Sequence, residues 1–401
     1  MKRISFLLFF LWTFSAPAQL YQRLHRKATV VDTHNDVLST ATLRGLNIEQ
    51  DLSRQTHSDI RRFQSGGVDV QVFSIFCDER YGKGTAFAYA NREIDSLYAI
   101  VQRNPDKLML VTNPAQLKQA VRQKKLACMM GVEGGHMIED NMAYLDSFYK
   151  RGVRYMTLTW NNSTDWATSA KDETSPQPSP SGEGGGRVLN HKGLTEFGKQ
   201  VVRRMNDLGM IVDVSHVGER TFWDAINTTT KPVIASHSCV YTLCPVFRNL
   251  KDEQIKAIGK NGGVIHLNFF SGFIDSNYNK RLQQFNTKHQ SQIDSLKALK
   301  WVNWEIEEWM AKAYPQEAAA LRPPLSLLLD HLDYIIKLIG VDHVGLGSDF
   351  DGISSAPQGL DDVSDFPLIT KALLERGYRK KEIKKILGGN FLRVVQANER
   401  E

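Results

Sequence analysis

Eight short apolar runs, with helical sequence between them, constrain this chain more than any other feature. They are Thr29–Asp32, Val68–Ile75, Leu126–Val132, Val153–Thr159, Met210–Val214, Pro232–Ala235, Gly263–Phe269 and His343–Leu346. Most are rich in Val, Ile and Met and do not alternate cleanly, the pattern of strands buried on both faces of a parallel sheet. The intervening sequence is amphipathic. In Gly193–Leu208, for example, Leu194, Phe197, Val201, Met205 and Leu208 recur at helical spacing. Lys380–Ala397 reads as a closing helix of the same kind. Eight alternations of strand and helix imply βαβ units closed into an α/β, TIM-like (β/α)8 barrel. The alternative, an open doubly wound sheet, loses its main support because no Gly-x-Gly-x-x-Gly follows the first run.

A chain of 401 residues, 42% hydrophobic and 23% charged, fits one such barrel carrying insertions. The net charge of +6 is scattered along the chain and forms no stripe, so no nucleic-acid partner is expected. Lys2 and Arg3, an apolar run from Ile4 to Ala16, and the small residues Ala16-Pro17-Ala18 read as a secretory signal over residues 1–18. The run, about 13 residues, is too short for a permanent membrane span. The expected product is an exported protein, periplasmic or secreted, whose residues 19–401 form a single catalytic domain. Two insertions interrupt it. Residues 174–186, TSPQPSPSGEGGG, carry no apolar side chain and read as a disordered surface loop. Residues 279–320, polar and helical in character, would follow the seventh strand as a lid, a subunit contact or a surface decoration. Of the four cysteines, Cys239 and Cys244 are spaced to allow a bridge, whereas Cys77 and Cys128 read as buried thiols.

The chemistry is legible in where acids and imidazoles fall. His34 and Asp36 follow the first strand in DTHND. Glu133 ends the third in GVEGGH, His216 the fifth in DVSH, His237 the sixth in ASHS, and Asp349 the eighth in GLGSDFDG. In a barrel, C-terminal strand ends converge on one rim, where active sites sit. A single His at a strand end is more often a hydrogen-bonded residue than a ligand, and a single Asp more often caps a helix. Six on one rim make a metal site by composition. Imidazole and carboxylate without a Cys ligand suit a catalytic zinc site of the metal-dependent hydrolase type. Glu133 can bridge two ions with its two oxygens, and Asp349 is the spare carboxylate for proton transfer. His25 and His57 read as surface residues, and Asp351 as an orienting group.

Taken together, VDTHND, GVEGGH, GLTEFGKQVVRRMNDLGMIVDVSH, PVIASHS with FRN beyond it, and GLGSDFDG resemble the membrane (renal) dipeptidase family of zinc metallopeptidases, within the amidohydrolase-like superfamily. The likeness runs from about Thr29 to Val395. It implies two zinc ions per chain, with His34 and Asp36 on the first, Glu133 bridging, and His216 and His237 on the second. It implies hydrolysis of dipeptides by a hydroxide held between the ions, with Asp349 moving the proton. It also implies that Arg248 receives the substrate carboxylate, a role its planar fork suits. Family members often dimerise, so a homodimer stays open. The family's lipid-anchor signal has no counterpart in the terminal Asn-Glu-Arg-Glu, and no stable membrane anchor is expected. One position departs. Many members carry a substrate-contacting His where this chain has Trp160, which offers a single donor and cannot accept a proton. Stabilisation of the oxyanion then passes to Asn161, Asn162 or zinc, or Trp160 reshapes the pocket. The second course favours another small amide: an N-acyl amino acid, a dehydropeptide or a lactam.

Overall fold

The computed structural model describes residues 17–174, 192–301 and 303–399. Nine strands lie among them: β1 (Val31–Asn35), β2 (Val70–Ile75), β3 (Leu108–Leu110), β4 (Leu126–Glu133), β5 (Val153–Thr157), β6 (Ile211–Asp213), β7 (Ile234–Ala235), β8 (Val264–Leu267) and β9 (Val344–Leu346). Eight follow one another in the order β1-β2-β4-β5-β6-β7-β8-β9, every pairing parallel. A parallel bridge from Asn35 to Phe350 brings the last strand back to the first. Two backbone bonds seal it: Asp36 N–H to Phe350 O at 2.9 Å and Asp349 N–H to His34 O at 3.1 Å. This is a nearly closed (β/α)8 barrel, and its eight strands are the eight apolar runs.

The ninth strand, β3, was not expected. It pairs with Leu126–Cys128 of β4, while β5 pairs with Met130–Glu133 farther along the same edge. A run of three residues directly after a helix leaves no periodicity to read.

Along β4, Ala127 and Met129 face inward with Val31, Val70, Val72, Tyr155, Ile211, Ile234 and Val264, and Phe391, Val394 and Val395 of the last helix close this inner core. Cys128, Met130 and Val132 face outward into the larger core beneath the helices. Gly131 and Glu133 continue the inward series toward the rim. A Cβ on Gly131 would lie 2.1 Å from Tyr155 Cζ, so the glycine is what admits the tyrosine ring.

Local signals set the helix ends. Thr195 caps the helix Glu196–Leu208 through Gly198 N–H, and Gly209, at φ 79°, turns the chain into β6. The expected closing helix is broken in two, Lys380–Lys384 and Asn390–Asn398, by a wider turn. A Cβ on Gly388 in that turn would lie 2.4 Å from Thr29 O, so the helix opens where it passes β1.

After β8, the helices Tyr278–Lys288, Gln290–Ala298, Asn303–Ala313 and Pro315–Leu321 form a helical insertion. It carries a small core of its own: Phe285, Ile293, Leu296, Ile306 and Met310. All four cysteines are free and buried. The Cys239 and Cys244 thiols point to separate carbonyls, those of Asn268 and Gly272, so the pair is not bridged. His25 is buried, not exposed, because its ring nitrogens bond Thr370 Oγ1 and Gly66 O at 2.7 Å each. Residues 1–16, which hold most of the expected secretory signal, and 175–191, which hold nearly all of the Pro/Ser/Gly insertion, lie outside the described residues. Among the described residues no helix is long and apolar enough to cross a membrane.

Candidate active site and metal centre

Barrel closure brings His34, Asp36, Glu133, His216, His237 and Asp349 together at one rim. Glu133 is the hub. Its Oε2 lies 3.3 Å from His34 Nε2, and its Oε1 lies 2.9 Å from His216 Nε2 and 3.5 Å from His237 Nε2. His34 Nε2 also stands 3.5 Å from Asp36 Oδ2 and 4.0 Å from Asp349 Oδ1. The two oxygens of one carboxylate therefore address different imidazoles. His216 and Asp349 hold left-handed backbone at φ 63° and 60°, a region that His and Asp enter more readily than most residues.

The far nitrogen of each imidazole is held by a partner; Tyr155 and Ser236 gave no sequence signal, and Asn161 was expected against the substrate. His34 Nδ1 is 2.8 Å from Tyr155 Oη, whose proton goes to Thr33 O at 3.1 Å, so the ring donates to the phenol oxygen. His237 Nδ1 is 2.7 Å from Ser236 Oγ, which donates to Asp213 Oδ2 at 2.6 Å. Asp213 is locked in turn by Thr157 Oγ1 and by the amides of Ser215 and Ser236. His216 Nδ1 donates to Asn161 Oδ1 at 3.1 Å. All three rings thus carry a proton on the outward nitrogen and turn Nε2 toward Glu133. This is the arrangement by which outer hydrogen bonds orient metal ligands.

The electrostatics ask for added positive charge. Burial, with Arg248 adding to it, pushes His216 down to about 3. Burial and the neighbouring His34 hold His237 well below its usual value. Their Nε2 atoms, 2.9 Å apart, are then two lone pairs facing each other. Burial opposes ionisation of both Glu133 and His34, and neighbours overcome it in each. His34, His216 and His237 hold Glu133 well below the usual carboxylate range. Tyr155, Glu133 and Asp36 hold His34 well above the usual imidazole range. Burial, with Asp36 and Glu133 nearby, pushes Asp349 well upward. His34 Nε2 and Asp36 Oδ1 are buried without a hydrogen-bond partner. Convergent imidazoles, a shared carboxylate and the unpartnered Asp36 oxygen fit cations, and the groups His34–Glu133–His237 and His34–Asp36–Asp349 are each tight enough to hold one.

Around this centre, Asn268 Nδ2 holds Asp349 Oδ2 at 2.7 Å and leaves Oδ1 toward His34. Arg248 is buried. Its Nη2 donates to His237 O at 3.2 Å, and its Nη1 has no partner. Trp160 stands over the His216 side, with ring centroids 6.5 Å apart. Asn161 spends its amide oxygen on His216, and Asn162 Oδ1 is buried without a partner. Asp351 takes the His57 amide proton at 2.6 Å and is not in the cluster. A cavity of about 270 Å³ under the helical insertion is lined by His57, Tyr278, Phe285 and Met310 among others, and by none of the clustered residues.

The model of one family, membrane dipeptidase (peptidase family M19), matches residues 18–401. The chain belongs to the membrane dipeptidase family. It is accordingly a hydrolase of the metallodipeptidase class. An uncharacterised dipeptidase of Schizosaccharomyces pombe is 31% identical over 403 residues, covering 95% of this chain and 83% of that protein. The probable dipeptidase PvdM of Pseudomonas aeruginosa superposes with a TM-score of 0.75 at 25% identity, over 95% of this chain and 98% of its own. A metallopeptidase of Rhodobacter sphaeroides, solved with a phosphinate mimic of the dipeptide L-Ala-D-Ala, shares the fold with a TM-score of 0.72 at 21% identity, over 93% and 99%. Membership in this family gives the cation-seeking cluster its context.

Proposed function

We propose that this family member is a zinc-dependent dipeptidase holding two ions. His34 and Asp36 would hold one, His216 and His237 the other, with Glu133 between them. The observation that carries the reading is the convergence of three oriented imidazoles on the two oxygens of Glu133. When bound, zinc supplies Lewis acidity and lowers the pKa of water toward neutrality. The chain's own residues do the rest. Arg248 Nη1, buried and unpartnered, receives the substrate's terminal carboxylate, and so fixes the register and restricts length. Asp349 takes a proton at Oδ1, the oxygen left free by Asn268, and returns it to the leaving amine. Asn161, its oxygen committed to His216, has its amide hydrogens left for a substrate oxygen.

The test is hydrolysis of a dipeptide panel, with L- and D-residues at the second position, before and after chelation. Turnover that disappears with the metal and returns with zinc supports the reading. A zinc-loaded protein inert toward every dipeptide would sink it. Trp160 favours a second reading, a related small amide such as an N-acyl amino acid, dehydropeptide or lactam, which the same assay with those compounds distinguishes. Residues 1–18 mark the chain for export, a reading that N-terminal sequencing of the mature protein checks.

A further inference from the structure

The dipeptidase reading leaves open which side chains the substrate carries, and one feature of the rim bears on this. Phe76 follows β2 and Trp160 follows β5, and their rings lie 5.0 Å apart. Both are half-buried. The pair is held in place. The Phe76 amide donates to the fully buried Glu93 at 2.8 Å, and the Phe76 carbonyl accepts from Ser39 Oγ at 3.4 Å. Trp160 Cβ lies against Gly134, whose backbone sits at φ 107° and where an added Cβ would come within 3.2 Å of it. In the ring of eight strands β2 stands opposite β7, and Arg248 lies beyond β7 with its guanidinium 5.3 Å above the Phe273 ring.

We propose that Phe76 and Trp160 form the wall of a pocket for an apolar side chain, aromatic or branched aliphatic, on the N-terminal residue of the dipeptide. The inference rests on the dipeptidase reading and on Arg248 as the carboxylate site. A dipeptide with its carboxylate on Arg248 and its peptide bond over Glu133 extends its first residue across the mouth toward β2 and β5. There it meets two fixed aromatic faces. A glycyl or charged first residue leaves those faces wet, whereas a phenylalanyl or leucyl one covers them.

The experiment compares kcat/KM for X-Ala dipeptides, with X being Gly, Ala, Leu or Phe and the C-terminal isomer held constant. The wild type is expected to prefer Phe and Leu over Gly by about tenfold or more, the scale set by a few buried carbons. Trp160→Ala is expected to compress that ratio by about tenfold, while the preference in a Gly-X series varied at the second position stays as it was. Calorimetric Kd values for phosphinate analogues bearing Phe or Gly at the first position should shift in parallel. Zinc content and thermal melting confirm the fold of the variant, and Phe76→Leu replaces it if Trp160→Ala loses metal. A wild type indifferent to X, or a preference that survives both substitutions in metal-replete protein, overturns the proposal and leaves the dipeptidase reading standing. No hydrolysis of any dipeptide overturns both.

Discussion

The hydroxyl of Tyr155 lies 2.8 Å from His34 Nδ1 and passes its own proton to Thr33 O. A tyrosine from the fourth strand of the ring therefore decides which nitrogen of a first-strand histidine faces Glu133. Tyr155→Phe keeps the packing and removes the acceptor. Zinc affinity, read by competition with a chromophoric chelator, should fall about 10–100-fold, the usual effect of losing an outer partner. Unchanged affinity would mean that the hydroxyl orients nothing.

Gly131 makes room for that ring. Gly131→Ala places a methyl 2.1 Å from Tyr155 Cζ, far inside contact distance. Overpacking of this kind destabilises by about 1–3 kcal/mol. Urea unfolding should register it, and zinc affinity should drop alongside as the hydroxyl is displaced from His34.

Asp349→Asn separates proton transfer from binding. Turnover should fall by about 10²–10⁴, the range for a general acid–base group, with zinc content by elemental analysis close to that of the parent. Wild-type turnover in this variant would remove Asp349 from the mechanism.

Metal removal should lower stability as well as activity. Without a cation, the buried carboxyls of Glu133, Asp36 and Asp349 crowd one another, and burial and mutual repulsion push Asp36 and Asp349 upward, so exhaustive chelation should lower the melting temperature and added zinc should restore it. A melting temperature indifferent to zinc would contradict the ligand assignment.

His266 supplies a pH test away from the metal. It is buried inside the barrel beside Phe391, with Nδ1 on Ala235 O and Nε2 unpartnered, and burial pushes it down to about 3. The folded protein keeps it neutral, while the unfolded chain takes up a proton below about pH 6.5. Its contribution is therefore complete above about pH 6.5 and is lost progressively as pH falls toward 3, at up to about 1.4 kcal/mol per pH unit. His266→Gln should flatten the decline of the urea midpoint between pH 6.5 and 4.5. Parallel curves for the two proteins would refute this.

The barrel was legible because parallel strands buried on both faces leave unbroken apolar runs, and the rim candidates because they sit where those runs stop. The residues that orient them were not. Tyr155, Ser236, Asp213 and Asn268 are ordinary residue types inside or beside strands, and only ring closure sets Tyr155 under His34 or Asn268 against Asp349. Asn161 was noticed for its nearness to Trp160, yet the contact its oxygen makes is with His216. His25 was misread because an isolated histidine near a terminus gives no hint of Thr370, 345 residues away.

The seam between Asn35 and Phe350 carries a consequence for assembly. His34 and Asp36 lie on one side of it and Asp349 on the other, so residues from the two ends of the chain meet only when the ring shuts. A chain that has formed every other strand pair already gathers His34, Asp36, Glu133, His216 and His237 and lacks only Asp349. Under the proposed assignment the ion ligands are then complete before the ring shuts, and the last step of folding delivers the proton carrier: a chain stalled there would load metal and stay idle.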